Sequence, residues 1–78
     1  MLHLKLVTKP GQLLGGRADV YYVTQARDEY VLHNHALAPK RFASLAKLAH
    51  TLGGIVAWDR WSDDAQLQLE HLKLKGAF

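Results

Sequence analysis

The sequence predicts a small α+β fold: an antiparallel sheet of four or five strands with one amphipathic helix packed on one face, in the order β-β-β-α-β-β. Three observations carry this. The chain opens on apolar and polar residues in strict alternation, a β-branched and aromatic run follows at 19–25, and apolar residues then recur at helical spacing from Phe42 to Leu52.

Residues 2–7 put Leu2, Leu4 and Leu6 on one face and His3 and Lys5 on the other, the pattern of a half-buried strand. Pro10-Gly11 and Gly15-Gly16 bracket a connection tipped by Leu13 and Leu14. Val20, Tyr21, Tyr22, Val23 and Thr24 give the strongest strand signal, with the two tyrosines on opposite faces. Ala26-Arg27-Asp28-Glu29 is a polar break of hairpin length, and alternation resumes over 30–35, so the first three strands form an antiparallel meander.

A helix is expected over 39–52, entered at Pro39, with Phe42, Leu45, Ala46, Ala49 and Leu52 inward and a left-handed stop at Gly53-Gly54. A strand over 55–61 follows. The last segment carries two conflicting signals. Ser62, Asp63 and Asp64 at one end and Lys73, Lys75 and Gly76 at the other are helix-terminus chemistry, but Leu67 and Leu74 fall opposite Leu69 and Leu72 on a helix. A strand with one bulge near Glu70-His71 would align all four, which favours a strand over 65–75. The string His-Leu-Lys-Leu occurs at 3–6 and again at 71–74, too short to be a repeat unit.

Seventy-eight residues make one domain, 1–78, since halves would be too small to bury a stable core. With no cysteine, stability must come from packing rather than from disulfides or thiolate-bound zinc. No signal-peptide pattern and no apolar stretch approaching the roughly 20 residues of a membrane span occur, so the expected compartment is the cytoplasm and no membrane is involved. Ten Lys plus Arg against seven Asp plus Glu, a net charge of +3, favours acidic partners.

Catalytic signatures are sparse. There is no Gly-x-Ser-x-Gly, no phosphate loop ending in Gly-Lys-Ser or Gly-Lys-Thr, and no cysteine nucleophile, and Gly11-x-x-x-Gly15-Gly16 lies between strands with no helix to receive an anion. His33 and His35 are the weak candidates for a metal pair, being two apart on an expected strand, although His3, His50 and His71 offer a third ligand by no spacing rule. The same two imidazoles could serve acid–base cleavage. No cofactor is implied.

The candidate binding residues are Lys40, Arg41, Lys47, Trp58, Arg60 and Trp61. On the expected helix Lys40 and Arg41 occupy the first turn, where the macrodipole disfavours cations, and Lys40, Ser44, Lys47 and Thr51 share the outward face with Arg41 beside it. Trp58-Asp59-Arg60-Trp61 on a strand sends its tryptophans to opposite faces, so one is core and the other partly exposed; Trp and Arg are residue types that anchor interfaces.

The leading expectation is therefore a non-enzymatic binding module acting through protein–protein contact, a small regulator or inhibitor of a larger complex, with an acidic protein surface as partner. Inhibitors that phages carry against host or defence machinery, anti-CRISPR proteins among them, are often of this size, a likeness of scale alone. Free sheet edges would also allow a homodimer. The alternatives are a basic nucleic-acid-binding domain and a small His-dependent nuclease.

Overall fold

The computed structural model describes residues 2–11 and 17–78. The leucine-tipped connection expected at 12–14 and the Gly15-Gly16 pair lie outside the described residues. Four strands, β1 (His3–Val7), β2 (Val20–Ala26), β3 (Glu29–Asn34) and β4 (Leu37–Phe42), precede two helices, α1 (Leu45–Gly53) and α2 (Asp63–His71), with 3₁₀ turns at Trp58–Arg60 and Lys75–Ala77. The strands form one antiparallel sheet in sequence order. The small antiparallel α+β fold read from the sequence is thus the fold of the protein.

Period two does its work in the first three strands. Leu4 faces Val23, Leu6 faces Tyr21 and Val23 faces Leu32. Directly opposed residues share a face, so this row makes the buried side of the sheet. Arg27 takes a left-handed φ of 60° in the tight turn between β2 and β3. Asn34 ends β3 in a side-chain turn, its Oδ1 accepting from Ala36 N at 2.8 Å while its Nδ2 donates to Val20 O at 3.0 Å.

The fourth strand lies before the helix rather than after it. Residues 39–42, expected to open the helix, are strand β4, which pairs Lys40 with Leu32, Arg41 with Val31 and Phe42 with Tyr30. Pro39 lacks a donor, and an edge strand is the place in a sheet that tolerates this. The helix starts at the true N-cap, Ser44, whose Oγ accepts from Lys47 N at 3.2 Å. Leu48, Ala49 and Leu52 then bury one stripe against the sheet.

The stop is not left-handed, for Gly54 has φ −76°. Helix α1 closes through turns instead, Val56 N donating to Leu52 O at 2.8 Å, which drops Val56 into the core. Gly53 is needed for another reason: a Cβ there would stand 2.9 Å from the Cα of Phe78.

Residues 55–61 do not form a strand. Only Trp61 pairs, as an isolated antiparallel bridge to Thr8, flanked by Ser62 N to Val7 O at 2.9 Å and Lys9 N to Arg60 O at 2.7 Å. Residues 63–71 are helix, so the terminal chemistry prevails over the leucine spacing. Ser62 caps Ala65 N at 3.1 Å, Asp63 and Asp64 sit in the first turn where the dipole favours them, and Ala65 and Leu69 supply the buried stripe. Leu67, the leucine that fits no helix face, is simply 54% exposed.

Helix α2 ends in a Schellman motif. Lys73 N donates to Glu70 O and Leu74 N to Leu69 O, both at 2.9 Å, with Leu74 folded onto the core beside Leu69. The left-handed position of that motif, φ 58°, is held by Lys73 where glycine is the unstrained choice.

Two substitutions should have opposite outcomes. Lys73→Gly should raise stability in chemical denaturation by about 0.5–1 kcal/mol, since a non-glycine residue at positive φ carries a cost of that order. Gly53→Ala should fail to gain the roughly 1 kcal/mol that alanine usually adds inside a helix, because its methyl displaces Phe78; a full gain would contradict the close approach.

Candidate binding face

Both helices pack on the Leu6–Val23–Leu32 side of the sheet, which leaves the opposite face without a covering element among the described residues. The outward positions of the four strands assemble there in register. Lys5, Tyr22 and His33 form one transverse row, and His3, Thr24, Val31 and Arg41 form the next.

These rows are organised. The His3 and Tyr22 rings stack with centroids 6.4 Å apart and planes 30° off parallel. Thr24 Oγ1 and His33 Nε2 share a hydrogen bond of 3.0 Å, which fixes that imidazole against the sheet. Val31 is buried beneath its neighbours, Val7 and Val20 are half-buried, and Tyr22 is 39% exposed. The face thus has an apolar floor, an aromatic and two imidazoles upon it, and Lys5 and Arg41 at opposite margins. Glu29, its acid, lies 3.7 Å from Arg41. Both partners are well exposed, so the pair contributes little to stability.

The expected cationic helix face does not exist as such. Lys40 and Arg41 are consecutive strand residues and project to opposite sides of the sheet, Arg41 joining the open face and Lys40 the helical side; Lys47 is exposed on α1. The macrodipole conflict disappears with this, because neither Lys40 nor Arg41 is helical. On β4, Pro39, Lys40 and Arg41 are instead the residue types that keep an exposed edge from pairing with another strand. The other edge, at β1, is masked by residues 60–62 and by Gln68 Nε2, which donates to Lys5 O at 3.3 Å.

The tryptophans divide as expected into one core and one partly exposed residue, although a 3₁₀ turn rather than a strand separates them. Trp61 has no exposed surface. Trp58 is half-buried, edge-on to Phe78 at 5.4 Å with Lys75 Nζ 5.5 Å from its ring centre. Arg60 is exposed, its guanidinium reaching Lys9 O at 3.5 Å.

His33 and His35 do not make a pair on one strand face. His33 is on β3 and bonded to Thr24, while His35 lies exposed in the turn between β3 and β4. Among the described residues no group of three or more His, Asp or Glu stands close enough to hold a metal ion. His50 and His71 are exposed on separate helices.

Sequence reasoning places Tyr22 on a face opposite Tyr21 but does not connect it with His3, Lys5, His33 and Arg41. The outward positions are readable one strand at a time; the register that aligns them is not. No family model, curated protein or solved structure matches this chain.

Tyr21, on the buried side, is 4% exposed, and burial pushes its hydroxyl above the ordinary value of 10.0, with the Asp19 carboxylate adding to the rise. A tyrosine whose folded pKa exceeds its unfolded one stabilises the fold below the unfolded value and loses that contribution as pH climbs through the folded one. Stability should therefore fall as pH rises past about 10, and Tyr21→Phe should flatten that decline when denaturation midpoints at about pH 9 and about pH 11 are compared.

Proposed function

We propose that this chain is a non-enzymatic binding module of the cytoplasm, a small regulator or inhibitor that lays the open face of its sheet on an acidic surface of a larger protein. The observation that carries the reading is the asymmetry of the sheet. One side holds the helices, while the other sets Tyr22 and a valine floor between Lys5 and Arg41, with Glu29 already beside Arg41. An apolar, aromatic centre with charges at its rim is the usual anatomy of a protein interface, and rim cations steer an acidic partner. Pro39, Lys40 and Arg41 on the exposed edge argue for face-to-face docking over strand addition.

A second reading has its own support. The His3–Tyr22 stack beside Lys5 is chemistry that also suits the bases and phosphates of single-stranded nucleic acid.

Both readings meet one experiment. Affinity capture uses the wild-type chain, a face variant carrying Lys5→Glu, Tyr22→Ser and Arg41→Glu, and Lys47→Glu as a control on the helical side. In parallel, single-stranded RNA and DNA are added at low and moderate salt and mass is followed by light-scattering chromatography. The expected result is a partner held by wild type and by Lys47→Glu, lost with the face variant, and no co-elution with nucleic acid. A partner that the face variant retains removes the reading; salt-sensitive co-elution transfers it to nucleic acid.

A further inference from the structure

A cleft of about 280 Å³ opens on the helical side of the molecule, away from the open face, between the ends of β1 and β2 and the chain that leaves α1. Thr8 and Tyr21 are part of its lining, Val56 and Ala57 supply an apolar wall, and Arg17, Asp19 and Arg60 reach it as exposed residues.

Its polar groups are mostly donors. Thr8, 6% exposed, accepts from Asp19 N at 2.8 Å through Oγ1, and its own hydroxyl proton has no acceptor among the described residues. Tyr21, buried as deeply, finds no hydrogen-bond partner for its hydroxyl among the described residues, while Trp61 packs edge-on to its ring at 5.6 Å and holds it in place. Arg60 gives one long bond of 3.5 Å to Lys9 O, which leaves the rest of its fork open, and Arg17 makes no ion pair among the described residues. Two arginines face one aspartate, so the cleft is net positive. Among the described residues Trp61 Nε1 is the buried side-chain polar atom without a partner, so the Tyr21 hydroxyl is not sealed in the core but opens on the cleft, where it can donate to a ligand that enters. The wider depression of about 540 Å³ over the β2–β3 turn differs, being lined by exposed turn residues and Arg41 with no buried polar side chain.

The geometry points to this cleft as a binding site for a small soluble oxyanion, a carboxylate or phosphate group, received by the Tyr21 and Thr8 hydroxyls at the floor and by Arg60 and Arg17 at the mouth. Guanidinium groups match the oxygen spacing of either group, and bonds from charged donors are the stronger ones. Asp19 limits the charge the site accepts and suits a ligand that carries a donor beside its anionic group. The site is independent of the open face, because Tyr21 and Tyr22 point to opposite sides of the sheet.

The test is a titration of the ¹⁵N-labelled chain with inorganic phosphate, with acetate, and with chloride at matched ionic strength. Saturable shifts confined to the amides of Thr8, Asp19, Tyr21 and residues 55–60 are expected with phosphate, acetate or both, and which of them saturates identifies the preferred oxyanion. Tyr21→Phe, which keeps the ring packing, should weaken the response about 3- to 10-fold, the worth of one neutral hydrogen bond, and Arg60→Gln at least as much. Arg17→Gln gives a further exposed position if either variant unfolds. Shifts that chloride reproduces, that stay linear, or that survive these substitutions unchanged overturn the site.

Discussion

The fold turns on one antiparallel bridge, Thr8 to Trp61. It returns the chain to the edge of β1 after α1 and sets a fully buried indole between sheet and helices. Tyr21 meets that indole edge-on at 5.6 Å and Phe78 at 6.3 Å. Edge-to-face pairs add to the area they bury, and large aromatic side chains dominate the energetics of small cores. A 78-residue chain without cysteine has few other means of reaching a stable core. Trp61 Nε1 is buried with no hydrogen-bond partner among the described residues, so the residue serves here for its volume and its ring.

That bridge also decides which surfaces remain. Residues 60–62 and Gln68 close the β1 edge, and the second helix, which starts from Ser62, lands on the same side as the first. Among the described residues both helices are committed to one face, and no element covers the other. The remaining edge, at β4, has no cover among the described residues and carries Pro39, Lys40 and Arg41, composition that discourages further strands. Uncovered face and guarded edge occur together here, and the edge composition is of the kind that keeps a sheet from pairing with copies of itself along its rim.

How much of this the sequence reveals depends on where the deciding interaction lies. Strands β1 to β3 are legible because their signal is local alternation, and the turn between β2 and β3 is short. The helix core at Leu45–Leu52 is legible for the same reason, but its entry is not: Pro39 is equally at home at a helix start and on an edge strand, and pairing with β3 decides between them. In the last segment residue type marks Leu67 as core and passes over Ala65, because it stands in poorly for burial when a small residue faces the sheet. His-Leu-Lys-Leu shows the same limit, being strand at 3–6 and the end of a helix at 71–74. The open face is hidden by register, and the cleft by contacts between Thr8, Asp19 and the 55–60 chain that only the folded topology creates.

Charge placement ties this limit to function. Read linearly, Lys40, Arg41 and Lys47 are a basic cluster; folded, they serve three places, with Arg41 and Lys5 at opposite margins of the open face and Arg17 and Arg60 lining the cleft. The two groups lie on opposite sides of a single sheet, and adjacent tyrosines divide between them, Tyr22 outward beside His3 and Tyr21 inward against Trp61. Because successive strand residues alternate, β2 reaches both surfaces with no more than one residue of spacing. A rotation or register slip of that strand would alter both at once. The aromatic packing that fixes Tyr21 against Trp61 therefore also fixes how Tyr22 is presented, and this links the strength of the core to the geometry of the face.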